Sequence, residues 1–319
     1  MSKIKIGILG CANVALNHII PAIQELPELF EFIGVASRSE EKAKHFSDIF
    51  KCNYYVGYKK MLEDTNIDAL YVPLPTGLHK EWINKALISG KHVYAEKSIA
   101  MTIADAKTMI DNACHRNLAL MEGYMFQYHD QHNIVKDLLR KKEIGEIRHI
   151  TASFGFPPLK DSSNFRYDAN LGGGALYDVG GYVWRAINFL MGNVFEIKKS
   201  NIYYNQKGTS IFGSAFAIAS GDISATISFG FDNFYQCRYE VWGSLGKITC
   251  PKAFTPKEDE STVIILEKHN VEHKIECKPC NHFVKALEVF YNACFNENMR
   301  RQQYNDIKHQ IAGLEYMQH

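Results

Sequence analysis

Over its first 120 residues the chain alternates short, β-rich apolar runs with stretches of helical periodicity, and this alternation restricts the possible folds more than any other feature. Lys3–Leu9, Phe32–Ala36, Asp68–Pro73 and Lys91–Ala95 read as strands, and Ala15–Glu28, Glu40–Phe50, His79–Ser89 and Ile103–Arg116 as helices. Strands separated by helices cannot pair as tight hairpins, so strict alternation predicts βαβ units and a mostly parallel, doubly wound sheet. Helices on both faces of such a sheet explain why its strands are nearly continuous apolar text.

The pattern changes near residue 122. Helical text at Asp130–Lys142 gives way to Ile147–Phe154, an irregular polar stretch, the glycine cluster LGGGALYDVGGY and a helical run Val183–Met191. Val194–Tyr204, Ser214–Ala219, Ile223–Phe229, Tyr235–Trp242 and Thr262–Lys268 then alternate in polarity like antiparallel strands with one packed face and one solvated face. A length of 319 residues exceeds the usual single domain. The expected division is residues 1–121 as a dinucleotide-binding domain and 122–319 as an α+β domain for substrate binding and oligomerisation. The second domain is expected to carry a large open, mostly antiparallel sheet, and the helical tail from His282 to Cys294 to pack back on the first. An uncovered sheet face predicts a homodimer or homotetramer built on it.

The link between strand one and its helix is specific. In GILGCANVA the G-x-G-x-x-G/A fingerprint falls on Gly10, Ala12 and Ala15. Gly10 permits the tight turn, Ala12 is small enough for backbone to approach a pyrophosphate, and Ala15 allows close helix–sheet packing. Cys11, Asn13 and Val14 complete the loop, and the helix N-terminus favours anionic phosphates. This predicts a Rossmann domain. Where an NAD site places a carboxylate at the end of strand two, this chain has Ser37-Arg38, with Lys42 one turn into the next helix. A hydroxyl and a guanidinium suit a ribose 2′-phosphate, so the expected cofactor is NADP(H).

Ligands in open parallel sheets bind at the carboxyl ends of the strands. Two polar segments arrive there. One contributes Leu74, Pro75 and His79, the other Glu96 and Lys97, whose ammonium could hydrogen-bond a substrate oxygen or stabilise charge on it. In the second domain Asp178 and Tyr182 are four residues apart behind a run of glycines that could bring backbone close to a ligand. Arg166 could reach a phosphate, placing it with the cofactor-binding candidates.

These segments together resemble the Gfo/Idh/MocA oxidoreductase family across essentially the whole chain. The resemblance rests on GILGCANVA, VASRSEEKAKHF from Val35, PLPTGLHKEWINKALISGKHVYAEKS from Pro73, MEGYMFQYH from Met121 and GGGALYDVGGY from Gly172. It implies NAD(P)-dependent oxidation or reduction of sugars, cyclitols, nucleotide-linked sugars or related alcohols. The family's E-K-P lysine falls on Lys97, and its D-x-G-x-H/Y motif on Asp178, Gly180 and Tyr182. Tyrosine at the last position resembles members that are nucleotide-sugar 3-ketoreductases, which implies Tyr182 as proton donor and Lys97 as the group orienting the reacting oxygen. Ser98 replaces the motif's proline, and a trans bond before it is expected. The alternatives are a dehydrogenase of a free sugar, an inositol or a trans-dihydrodiol, and a non-catalytic dinucleotide-binding regulator.

Composition removes other classes. A net charge of +1, from 36 basic and 35 acidic side chains, gives no general attraction for nucleic acid or anionic lipid. No apolar stretch reaches membrane-spanning length, and MSKIKIGILG enters a strand without a secretory apolar core. Eight scattered cysteines read as reduced thiols of a cytoplasmic protein. Cys277 and Cys280, with His282 behind them, lack a second pair to complete a zinc site, so no metal is expected.

Overall fold

The computed structural model describes residues 2–319 except Ser162, Asn193, Ser220 and Asp222, and divides the chain into two units. The first comprises residues up to Gly123 together with Phe283–Ile311; the second comprises Tyr124–His282 and Ala312–His319.

In the first unit β1 (Ile4–Leu9), β2 (Phe30–Ser37), β3 (Asn53–Val56), β4 (Ala69–Val72), β5 (His92–Ala95) and β6 (Leu120–Glu122) form one parallel sheet in the order β3-β2-β1-β4-β5-β6. A π-helical turn Ala15–Ile19 runs into α1 (Ile20–Gln24); α2 (Glu40–Phe50), α3 (Tyr58–Glu63), α4 (Thr76–Ile88) and α5 (Ile103–His115) make the later connections. Ile6, Ile8, Leu9, Val35, Leu70, Tyr71 and Val93 are fully buried, each worth about 1.5–3 kcal/mol if it behaves as an ordinary buried apolar side chain. Helix α2 begins where Ser39, in extended conformation, accepts the Lys42 backbone N–H on its side chain, and Glu40 and Glu41 complement the positive end of the helix. The chain order reverses between β1 and β4, which makes the carboxyl ends of those two strands the switch point at which such sheets bind ligands.

Helix α8 (His282–Phe295) supplies the first unit with Phe283 stacked on His18, Phe290 against Tyr94, and Tyr291 edge-on to Phe30. Its successor α9 (Glu297–Tyr316) anchors Tyr304, whose hydroxyl donates to the Leu118 carbonyl.

The second unit holds α6 (Asp130–Arg140), α7 (Gly181–Met191) and an eight-stranded sheet. Its strands are β7 (Ile147–Gly155), β8 (Glu196–Tyr204), β9 (Ser210–Ile218), β10 (Ser224–Gly230), β11 (Gln236–Gly243), β12 (Gly246–Cys250), β13 (Thr262–Lys268) and β14 (Val271–Cys277), in the order β14-β13-β12-β11-β7-β10-β9-β8. Pairing is antiparallel except between β7 and β10, which run parallel from Ser224↔His149 to Gly230↔Gly155. Ala225, Ile227 and Phe229 of β10 are buried, on the face that α7 covers, whereas Ser224, Thr226 and Ser228 alternate to the other. That other face is not uniformly apolar. Its centre carries Ser, Thr and His149, and its exposed aromatics Tyr203, Phe212 and Phe216 gather on β8 and β9.

Candidate active site

The loop after β1 turns at Gly10, whose φ of +134° is closed to side chains; a Cβ there would also meet Leu74 Cδ2 at 2.9 Å. The loops after β1 and β4 therefore meet at a point where only glycine fits. Ala15 is fully buried, as helix–sheet packing demands, while Cys11, Ala12, Asn13 and Val14 retain accessible surface. Burial pushes the Cys11 thiol up to about 11, against the lowering effects of Ser37 and Lys42, so it stays an uncharged part of the loop.

At the end of β2, the buried Ser37 accepts the Ser39 backbone N–H on its hydroxyl oxygen at 3.1 Å and also hydrogen-bonds the Cys11 thiol. Arg38 is exposed and lines an open groove of about 520 Å³ with Tyr58, Lys59, Lys60, Leu78 and Trp82. Tyr58 is buried edge-on against Trp82 and hydrogen-bonds Arg38; burial raises its pKa and the guanidinium opposes that rise. Sequence reading missed Tyr58 and Trp82, because the short strand before Tyr58 is mostly exposed and gives no apolar signal.

Lys97 is half-buried just past β5. Its neighbour Glu96 accepts the Tyr71 hydroxyl, and the Ile99 N–H donates to the buried Glu122 carboxylate at 2.8 Å. The Lys97–Ser98 bond is cis, a correction to the trans expectation. Glu96 before that bond, and Ser98 and Ile99 after it, are held by residues distant in sequence, which local reading could not supply. His79, expected on the cofactor surface, is fully buried with Nδ1 3.0 Å from the Ser98 carbonyl; this corrects its place to behind the loop. Leu74 is also buried, and Pro75 is partly exposed.

In the second unit a π-helical turn Leu176–Gly180 leads into α7 and presents Asp178 and Tyr182. The Tyr182 ring is 5% exposed among Tyr124, Phe126, Phe154 and Phe254, with centroids 5.3–5.9 Å away. Its hydroxyl donates to Met125 Sδ at 3.5 Å, a weak acceptor. Asp178 is ion-paired at 2.7 Å with Arg166 Nε, a partner that sequence reading did not assign to it. The fold itself requires glycine at two of the positions before it. A Cβ at Gly173 would strike the carbonyl oxygens of Phe165, Arg166 and Asp168 at 2.5–2.7 Å, and one at Gly174 would strike Ser210 Oγ at 2.4 Å.

Cys277 ends β14 and Cys280 precedes α8; both are buried and stand outside any disulfide. Among the described residues no group of three or more His, Cys, Asp or Glu is arranged to hold a metal ion, and no helix is long and apolar enough to cross a membrane.

Comparison with known proteins places these features. Residues 4–124 match the oxidoreductase family with NAD-binding Rossmann fold, and residues 132–249 match the GFO/IDH/MocA C-terminal domain. A dTDP-3,4-didehydro-2,6-dideoxy-α-D-glucose 3-reductase of Saccharopolyspora spinosa is 41% identical over 288 residues, covering 90% of this chain and 86% of the relative. A protein of the same name from Actinomadura kijaniata is 35% identical over 98% of this chain and 93% of its own. The crystal structure of KijD10, a 3-ketoreductase from Actinomadura kijaniata in complex with NADP and TDP-benzene, superposes with a TM-score of 0.95 at 33% identity, covering 99% of this chain and 97% of that one. The chain belongs to the Gfo/Idh/MocA family of oxidoreductases.

Proposed function

We propose that this oxidoreductase reduces the 3-keto group of a nucleotide-linked deoxy sugar with NADPH. The observation that carries the cofactor choice is Arg38, which follows Ser37 at the end of β2 and exposes its guanidinium where a carboxylate would otherwise stand. The loop from Gly10 to Val14 fits a pyrophosphate, because no side chain projects from Gly10 and the neighbouring residues keep accessible surface. The substrate class is supported by the dTDP-sugar 3-reductases to which the chain is similar.

NADPH, when bound, supplies the hydride. Lys97 donates a hydrogen bond to the substrate carbonyl, orienting it and stabilising the negative charge that grows on oxygen as the carbon is reduced. Tyr182 gives its hydroxyl proton to that oxygen, completing the alcohol, and regains a proton from solvent. Asp178 holds Arg166, and the rest of that guanidinium supplies donors for a substrate phosphate. The free thiols fit a reducing, cytoplasmic setting. The aromatic end of the second unit's open face, at Tyr203, Phe212 and Phe216, is the surface on which a second copy would assemble, as a homodimer or homotetramer.

The test is kcat/KM for a dTDP-linked 3-keto-2,6-dideoxy sugar against the same sugar without its nucleotide, with NADPH and with NADH. The nucleotide-linked sugar and NADPH should be preferred, each by roughly tenfold or more, as expected for charged phosphate contacts. Equal turnover of free sugars, or oxidation of a cyclitol or dihydrodiol in preference, contradicts the reading.

A further inference from the structure

The segment that carries Lys97 is held by three buried side chains. Tyr71, on β4, donates its hydroxyl to Glu96. Glu122, at the end of β6, accepts the Ile99 N–H at 2.8 Å. His79, in the first turns of α4, has Nδ1 3.0 Å from the carbonyl of Ser98, the residue after Lys97.

The chemistry of the last contact fixes the state of the ring. A carbonyl only accepts, so Nδ1 carries the hydrogen and Nε2 is a bare lone pair. Nε2 is buried and, among the described residues, has no hydrogen-bond partner. Burial disfavours a second proton and pushes the ring's pKa down to about 4, against the opposing pull of the Ser98, Leu74 and Ile99 carbonyls, so the ring remains a neutral donor. The bond also ties together the loops after β4 and β5, since α4 begins directly after Pro75. A loosened Ser98 carbonyl would let the preceding residue shift, and a displacement of about 1 Å can cost roughly a hundredfold in rate.

We infer that His79, acting through the Ser98 carbonyl, is a positioning residue for Lys97: it fixes the backbone from which the lysine ammonium reaches the reacting oxygen. This rests on the ketoreductase reading for the role of Lys97, but not for the bond itself. Packing alone would make any side chain of similar volume serve; positioning requires an N–H at the place of Nδ1. Asparagine puts an amide nitrogen close to that place, glutamine puts it nearer Nε2, and leucine fills the volume with no donor.

The experiment compares wild type with H79N, H79Q and H79L by two readouts. The first, independent of turnover, is the pH dependence of Lys97 labelling by an amine-reactive reagent, followed by peptide mass spectrometry. The second is kcat with the primary isotope effect from NADPH deuterated at the transferred position, alongside the NADPH dissociation constant. The inference expects H79N to stay within about threefold of wild type in labelling and kcat. H79Q and H79L should alter the labelling profile, lose roughly tenfold or more in kcat, raise the isotope effect, and leave NADPH affinity within about threefold. Should H79L fail to fold, the H79N-to-H79Q ratio decides. Equal labelling and equal kcat in those two variants overturns the inference. A wild type inactive on every keto sugar, with labelling that still separates H79N from H79Q, overturns the ketoreductase reading and keeps His79 as the group that sets Lys97.

Discussion

The two units carry their candidate residues on scaffolds of opposite design. In the first, Ser37 ends a strand and Gly10, Arg38 and Lys97 lie just beyond strand ends, and a sheet buried on both faces is stabilised by other residues. Arg38 is exposed and Lys97 half-buried, so neither is a pillar of the core. In the second, Tyr182 sits inside a cluster of four aromatic rings and belongs to the core itself. The difference teaches that chemistry and stability are separable by mutation in the first unit and are joined in one side chain in the second.

Lys97→Ala should give the largest effect. Loss of an electrostatic stabiliser at the reacting oxygen is expected to lower kcat by roughly 10²–10³-fold, with NADPH affinity and Tm little changed. A Tm that falls as steeply as activity would break the comparison. Tyr182→Phe should cost roughly a hundredfold in kcat while the ring cluster stays intact. Tyr182→Ala should add a stability loss of about 3 kcal/mol from the emptied cluster, measured by urea unfolding. Near-native turnover by Tyr182→Phe at all pH values would remove the hydroxyl from the mechanism.

Arg38→Ala acts at the rim. It should weaken NADPH roughly ten- to a hundredfold, toward the lower figure at high salt, and leave NADH binding unchanged. Ser37→Asp should move preference further toward NADH by adding a ribose-hydroxyl acceptor that repels phosphate. Equal affinities in wild type, unmoved by the arginine change, would make Arg38 a bystander.

The smallest effect at neutral pH is one that both units share. Burial drives the pKa of His79 and His92 down to about 4 and that of His132, also opposed by His129, to about 3. His132 donates from Nε2 to the Ala253 carbonyl and accepts the Tyr239 hydroxyl on Nδ1, so its neutral form is built in. An unfolded histidine titrates near 6.5. Below about pH 6.5 the unfolded chain takes up protons that the folded chain refuses, and stability falls until the folded values are reached. Each such group contributes a slope of roughly 1.4 kcal/mol per pH unit inside that window. The Tm should therefore drop between pH 7.5 and pH 5, and a flat profile would contradict neutral burial.

Much of the first unit was legible because both-face burial writes apolar strands and because its helix caps are local. The helix expected over Glu40–Phe50 matches the structure to the residue, and the structure adds Ser39 as its cap. What escaped was short or exposed: β3 and β14 are largely solvent-facing edge strands, β6 has three residues, and α3 follows an edge. Helix α9 escaped for another reason. Its sequence is polar, and it is held by a narrow stripe of Tyr304, Ile307, Ile311 and Leu314 with ion pairs such as Arg301–Glu297. At the candidate site, residue types in motif order pointed to Lys97, Asp178 and Tyr182. The pairing of Asp178 with Arg166, the support of the Lys97 segment by Glu122, and the burial of His79 depend on contacts between distant stretches of chain that no local pattern encodes.

Hydride transfer to a nucleotide-linked keto sugar is most directly tested by following the transferred hydrogen. Purified protein, NADPH deuterated at the transferred C4 position and a dTDP-linked 3-keto-2,6-dideoxy sugar would be incubated to completion and the sugar examined by NMR. One deuterium at C3 of the product, for each NADPH oxidised, is the predicted result. No consumption of NADPH with that sugar, together with reduction of NADP by a free sugar, cyclitol or dihydrodiol, would contradict it.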